Sequence, residues 1–201
     1  MDLAGIEWKG VAAVAAVTIG LLSFIPYFRS IFRKETMPHA YTWLIWSITQ
    51  GTAAAGVFAG GGGLIGIGLG VSAVLIFIIF LLSLRYGTPN ITRSDGVVLA
   101  AAIAAVFVWW QLHEPVLAVL MVCVIDGLGY IPTFRKSFIE PWSENLTSWI
   151  TFCVAYVFSL IALESYNLLT LPYIVMCLGI NLCLIGMLLI RRSVVPKPIT
   201  V

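Results

Sequence analysis

The amino-acid sequence predicts an all-α membrane protein of seven transmembrane helices, arranged as two parallel three-helix bundles joined by an inverter helix. Three observations carry this expectation. Of the 201 residues, 61% are apolar and only 10% charged, against about a quarter charged in a soluble domain, so the solvent must be lipid. The apolar residues gather into seven runs, each near the ~20 residues that cross a bilayer core. Finally, Ile25-Pro26-Tyr27-Phe28-Arg29 returns 106 residues later as Ile131-Pro132-Thr133-Phe134-Arg135, in a register that also pairs Phe32 with Phe138, Trp43 with Trp149 and Arg85 with Arg191.

The runs lie at 10–28, 40–59, 64–84, 97–112, 115–134, 146–163 and 170–190. They are continuous rather than alternating, which favours helices over barrel strands. The first has the small-residue stretch Ala12–Ala16 of a secretory leader. However, Asp2 and Glu7 accompany its only base, Lys9, and the run continues into the Pro26 motif, so it is expected to be a true span. Ahead of the third run stand Gly60 to Gly63, then Gly66, Gly68 and Gly70. Without the lysine of a phosphate-binding loop, and with Gly62, Gly66 and Gly70 recurring every four residues, they predict a small-residue face for close helix packing.

The fourth run is the shortest and has no mate in the repeat. Three helices reverse the chain's direction, so two directly joined units would be inverted, and one extra span makes them parallel. The expected division is 1–88 for the first unit, 89–113 for the linker helix, 114–192 for the second unit and 193–201 for a cytoplasmic tail.

Orientation follows from the bases, which cytoplasmic loops retain. With the N-terminus outside, ten Lys and Arg fall inside and only Lys9 outside. An integral, multi-pass protein with a cytoplasmic C-terminus is therefore expected. Both Asn90-Ile91-Thr92 and Asn145-Leu146-Thr147 then lie inside and are expected to be unglycosylated. Arg29, Arg135 and Lys136 are expected to set topology and touch lipid headgroups, with a gating role open to one or two of them. Trp109 and Trp110 are expected as interfacial anchors.

Several classes of function are excluded. The net charge of +2 is not gathered into a basic arm, so nucleic acid is not an expected partner. Cys123, Cys153, Cys177 and Cys183 have no metal or redox spacing and are expected as small hydrophobes. His39 and His113 sit at opposite ends of spans. No catalytic set, metal cluster or cofactor motif is present, so an enzyme is not expected.

Depth singles out a polar layer. Asp126 and Asn181 each lie 11 residues from the outer start of their runs, roughly 16 Å deep at 1.5 Å per residue. Gln50 and its repeat mate Tyr156 lie 10 residues from the inner starts of theirs. Polar groups in hydrocarbon are costly unless they face protein or a wet cavity, so the layer reads either as a solute site or as interhelical hydrogen bonding. Asp126 is the carboxylate deep inside a span, a candidate for solute contact or proton coupling. Trp43, Trp46 and Gln50 share a helical face, as do Trp149, Phe152 and Tyr156, and such aromatic walls suit either a ring-bearing solute or packing. Pro26 and Pro132 each remove a backbone hydrogen bond and are expected to kink their helices as a hinge pair.

A proline near the inner end of a unit's first helix, a basic loop and a tryptophan in the second helix, all repeated after an unmatched span, resemble the PQ-loop superfamily. Within it the 3+1+3 plan resembles the SWEET sugar transporters, and vitamin transporters of the nicotinamide riboside type share it. The family's Pro-Gln pairs stand here as Pro26-Tyr27 and Pro132-Thr133. Its mid-depth asparagine on each unit's third helix is matched by Asn181 but replaced by Leu75 in the first unit.

The resemblance implies alternating access between the two units. The expected function is transport of a small neutral polar solute, sugar-like or nucleoside-like, at Asn181, Asp126, Gln50, Tyr156, Trp46 and Phe152. Facilitated diffusion is the first expectation and Asp126-linked proton coupling the second. The alternative is a membrane receptor or sorting protein that binds cargo without moving it. Expected partners are the solute and membrane lipids, with self-association left open.

Overall fold

The computed structural model describes all residues except 1, 2, 60–62, 112, 113, 164 and 199–201, and within helices it leaves the side chains of 3–7, 52–59, 63–69, 115 and 118 undescribed. The glycine face predicted through Gly62, Gly66 and Gly70, and the placement of His113, therefore lie wholly or partly outside the described residues. Among the described residues every regular element is a helix: α1 (Leu3–Leu22), α2 (Phe24–Phe32), α3 (Ala40–Ala59), α4 (Gly63–Tyr86), α5 (Arg93–Trp110), α6 (Pro115–Ile139), α7 (Leu146–Ala162) and α8 (Leu171–Val194), with a 3-10 turn at Pro141–Ser143.

Three stretches, Trp8–Phe32, Arg93–Trp110 and Leu171–Val194, are long and apolar enough to cross a bilayer. The apolar residues do not all turn inward. Val14 and Leu22, Val74 and Leu84, Phe107, Val124, and Leu189 with Ile190 stand exposed on successive helices. An outer surface of this kind is stable in hydrocarbon and would aggregate in water.

Local chemistry sets the helix ends. Thr92 and Asp95 form a reciprocal capping box at the start of α5, with the Thr92 amide donating to Asp95 Oδ2 at 2.7 Å. Asn145 caps α7 by accepting from the Ser148 amide at 2.9 Å. Basic residues occupy the last turns of α4 (Arg85), α6 (Lys136) and α8 (Arg191 and Arg192), where the helix dipole favours positive charge. Lys34 ends α2 in the left-handed conformation, φ 59°. Gly87 closes α4 so tightly that a Cβ there would stand 2.7 Å from the Pro38 carbonyl oxygen.

The two conserved-register prolines behave differently. The first apolar stretch is broken at Ser23, three residues before Pro26, and the Ser23 hydroxyl donates to the Ile19 carbonyl at 2.7 Å. The missing Pro26 amide leaves the turn containing Ser23 short of a hydrogen bond. Pro132, by contrast, lies buried inside α6, which runs on without interruption to Ile139. The two prolines are thus matched in register but not in the helix around them: the helix is interrupted ahead of Pro26 and continuous through Pro132.

The neighbours of each helix follow a pattern. α4 packs against α3 and α2, and α8 against α7 and α6; α1 packs against α7, and α3 against α6. α5 lies against α6 and α3. At one end, the loops carrying most of the bases are tied together. The Met37 amide donates to the Ser143 carbonyl (3.0 Å) and the Thr88 amide to the Pro38 carbonyl (3.2 Å).

Two of the bases are not free to meet lipid headgroups. Lys136 is fully buried and donates to the Met37 carbonyl (2.8 Å), to the Ser143 carbonyl (3.3 Å) and to the buried Glu144 carboxylate. Arg135 clasps Asp95 (2.9 and 2.6 Å) and Asn90 (3.0 Å). Arg29 is exposed, as expected. Of the tryptophan pair, Trp109 packs onto the core and Trp110 is exposed beside Phe107. Both asparagines of the glycosylation-like triplets have structural duties, Asn90 as acceptor for Arg135 and Asn145 as the α7 cap.

Candidate functional site

Asn181, Asp126, Gln50, Tyr156, Trp46 and Phe152 all line one cavity of about 310 Å³ between α1, α2, α3, α4, α6, α7 and α8. That size and its mixed aromatic and polar wall suit a small organic ligand. Pro26 and Pro132 are not in its wall. The cavity respects the 106-residue register: Gly20 and Asp126, Phe24 and Tyr130, Trp43 and Trp149, Trp46 and Phe152, and Gln50 and Tyr156 all line it.

The polar side chains form two groups. In one, Gln50 Nε2 donates to the Tyr173 hydroxyl (3.0 Å), which donates to Asp126 Oδ2 (2.6 Å). This chain joins α3 to α6 through α8. Asp126 Oδ1 is buried with only the neighbouring Thr49 hydroxyl beside it, and that hydroxyl also donates to the Trp46 carbonyl (3.2 Å). In the other, Asn181 Nδ2 donates to the Tyr130 hydroxyl (3.0 Å) and to the Cys177 carbonyl (2.8 Å). A carbonyl accepts only, which fixes the orientation of the amide. Asn181 Oδ1 is therefore the atom left buried and unpaired. Tyr156 interacts with the Cys177 side chain.

Beneath these groups lies an aromatic floor. Trp46 stands edge-on to Tyr130 with ring centroids 4.6 Å apart and to Trp43 at 5.2 Å, while Trp149 meets Trp46 and Tyr130 at 6.2 Å each. Phe152 packs against Phe24 at 5.1 Å. Edge-to-face contacts of this kind add to the gain from burial. The Trp46 indole donates to the Asp126 carbonyl (3.2 Å) and rests on Gly129, where a Cβ would come within 2.7 Å of Nε1. A glycine is required there because the ring occupies the space of a side chain.

Below the floor, on the side of the basic loops, a polar layer seals the bundle. The Tyr27 hydroxyl (3.2 Å) and the Trp149 indole (3.0 Å) both donate to Glu144 Oε2, and Lys136 binds its other oxygen. Thr133 donates to Thr42 (2.9 Å). Thus both residues that follow the repeated prolines, Tyr27 and Thr133, bond to the other half of the chain. Nearby, buried His39 meets Asp95 at 3.3 Å. Burial holds the His39 imidazole below its ordinary pKa, with Asp95 opposing.

Sequence reasoning missed Tyr173, Tyr130, Cys177 and Ser72 as lining residues. Tyr173, Cys177 and Asn181 recur every four residues and so share a face of α8, and Tyr130 lies one turn from Asp126. That spacing was a usable signal, masked because a tyrosine near a span's end also reads as an interfacial anchor. Among the described residues no group of acids, histidines and cysteines is arranged to hold a metal ion. No protein-family model, curated protein or solved structure matches the chain.

Proposed function

We propose that this protein carries a small polar solute across a membrane by alternating access between two parallel three-helix units, 1–88 and 114–192, joined by the helix in 89–113. One observation carries the reading: Asn181 Oδ1 is a buried, unpaired acceptor and Asp126 Oδ1 a buried one beside only the Thr49 hydroxyl, on residues that line one cavity. An unsatisfied buried acceptor costs about 1–3 kcal/mol, so both call for donors supplied by a solute or by water.

The helix neighbours support the architecture. In each unit the third helix touches the first and second, and across the units first meets second reciprocally, α1 with α7 and α6 with α3. A two-fold axis along the membrane normal produces this exchange in parallel repeats. The resemblance to the PQ-loop superfamily, and to SWEET-like transporters within it, supports the same reading. With the N-terminus outside, the sealed polar layer closes the cytoplasmic side. Transport then requires Tyr27, Thr133 and Glu144 to exchange their cross-unit partners, with flexing about Pro26 and Pro132.

The test is uptake into proteoliposomes from a mixed pool of labelled sugars, nucleosides and amino acids. Parent protein is expected to accumulate or equilibrate at least one solute, and Asn181→Ala and Asp126→Asn to slow it at least tenfold. If both variants transport like the parent, the site is misassigned. If no solute enters while the protein stays folded, the receptor reading replaces transport.

A further inference from the structure

The cavity wall has an unbalanced charge. Among the described residues its lining holds one carboxylate, Asp126, and no Lys, Arg or His. The stretch 52–69, whose side chains are undescribed, contains no ionisable residue at all, so the outer parts of α3 and α4 bring no counter-charge either. Asp126 is 3% exposed, and its carboxylate is met by neutral hydroxyls, Tyr173 at 2.6 Å and the neighbouring Thr49. Chains of neutral donors solvate a buried anion only partly, and an uncompensated one costs several kcal/mol.

The rest of the wall favours the same sign of charge. Aromatic rings are the commonest lining side chains, and ring faces carry negative electrostatic potential that attracts cations, most strongly when water is excluded. Asn181 Oδ1 adds an unpaired acceptor. The basic residues that would attract an anion are engaged elsewhere: Lys136 with Glu144, and Arg135 with Asp95, both below the aromatic floor.

We infer that the solute is an organic cation, with a quaternary or delocalised charge that sits on the aromatic wall against Asp126 and a donor that meets Asn181. This rests on reading the cavity as a solute site, and it departs from the neutral solute suggested by the sequence. Asp126 is then the residue that selects charge. Gln50 and Tyr173 are positioning residues that orient its carboxylate. A neutral sugar would meet the acceptors but leave Asp126 without a counter-charge, and an anion would be repelled.

The experiment is isothermal titration calorimetry on the purified full chain in detergent, with protein-free micelles as the blank. The probes are choline and benzyltrimethylammonium, each paired with the neutral isostere in which a quaternary carbon replaces nitrogen. At least one cation is expected to bind tenfold or more tightly than its isostere, and Asp126→Asn to abolish that preference. Equal binding of cation and isostere by the parent overturns the inference without needing any variant. A preference that survives Asp126→Asn, or no binding of either cation, also overturns it. These outcomes leave transport to be judged separately, because the mixed-pool uptake assay includes neutral solutes.

Discussion

The stretches 1–88 and 114–192 bring different polar chemistry to one cavity. From the first come Phe24, Trp43 and Trp46, with Gln50 as its principal polar group; from the second come Tyr130, Trp149, Phe152, Tyr156 and Tyr173 together with Asp126 and Asn181. At matched positions Gly20 is the mate of Asp126, and Leu75, packed in the core, is the mate of Asn181. The same division holds below the floor. Ser30 makes only a local hydrogen bond to Tyr27, whereas its mate Lys136 is the buried centre of an ionic cluster. Aromatic rings thus come from both stretches, whereas the carboxylate, the asparagine and the buried Lys136–Glu144 pair all lie in 114–192.

The largest test of that division is Lys136→Met. It strands the buried Glu144 carboxylate and is expected to cost roughly 3–5 kcal/mol, read as a lowered unfolding midpoint in detergent. Adding Glu144→Gln to Lys136→Met is expected to recover part of the loss, whereas Ser30→Ala at the matched position is expected to shift the midpoint far less. Equal losses from Ser30→Ala and Lys136→Met would erase the contrast between the halves.

A smaller difference is expected between the residues that follow the two prolines. Tyr27→Phe removes a bond to a charged acceptor and should cost about 2 kcal/mol, while Thr133→Val removes a neutral one worth about 1 kcal/mol. The comparison of unfolding midpoints sharpens the asymmetry if the order holds and breaks it if it reverses.

The smallest effect concerns the matched entries to α3 and α7, His39 and Asn145. The folded protein holds His39 below its ordinary value of 6.5, so the unfolded chain binds more protons just below that pH. Stability contributed by the neutral ring is complete above 6.5 and declines as pH falls below it. His39→Gln is expected to flatten the decline in melting temperature between about pH 8 and pH 5. Asn145, which does not titrate, contributes no such slope.

The helical class and most helix positions were legible because apolar runs and bases report on the solvent, which acts on every residue alike. Four of the six candidate residues, Asn181, Asp126, Gln50 and Tyr156, were marked by mid-depth polarity, which is rare in hydrocarbon, and Trp46 and Phe152 by the helical faces they share with Gln50 and Tyr156. The ionic cluster was not legible. Lys136 and Glu144 belong to a loop-end segment where charges usually meet water, and only tertiary packing decides that these two are enclosed. The unequal prolines were hidden for a similar reason: Pro26 and Pro132 remove the same hydrogen bond, but whether the helix breaks depends on its neighbours. Gly129 looked like one more helix glycine until the indole above it was seen.

That indole has a mechanical consequence. Trp46 belongs to α3, yet it is seated on the bare backbone of α6 at Gly129 and tethered there by its bond to the Asp126 carbonyl. A tilt of either helix must therefore drag or unseat the ring, which makes Trp46 the bearing between α3 and α6 rather than a passive tile in the chamber's base.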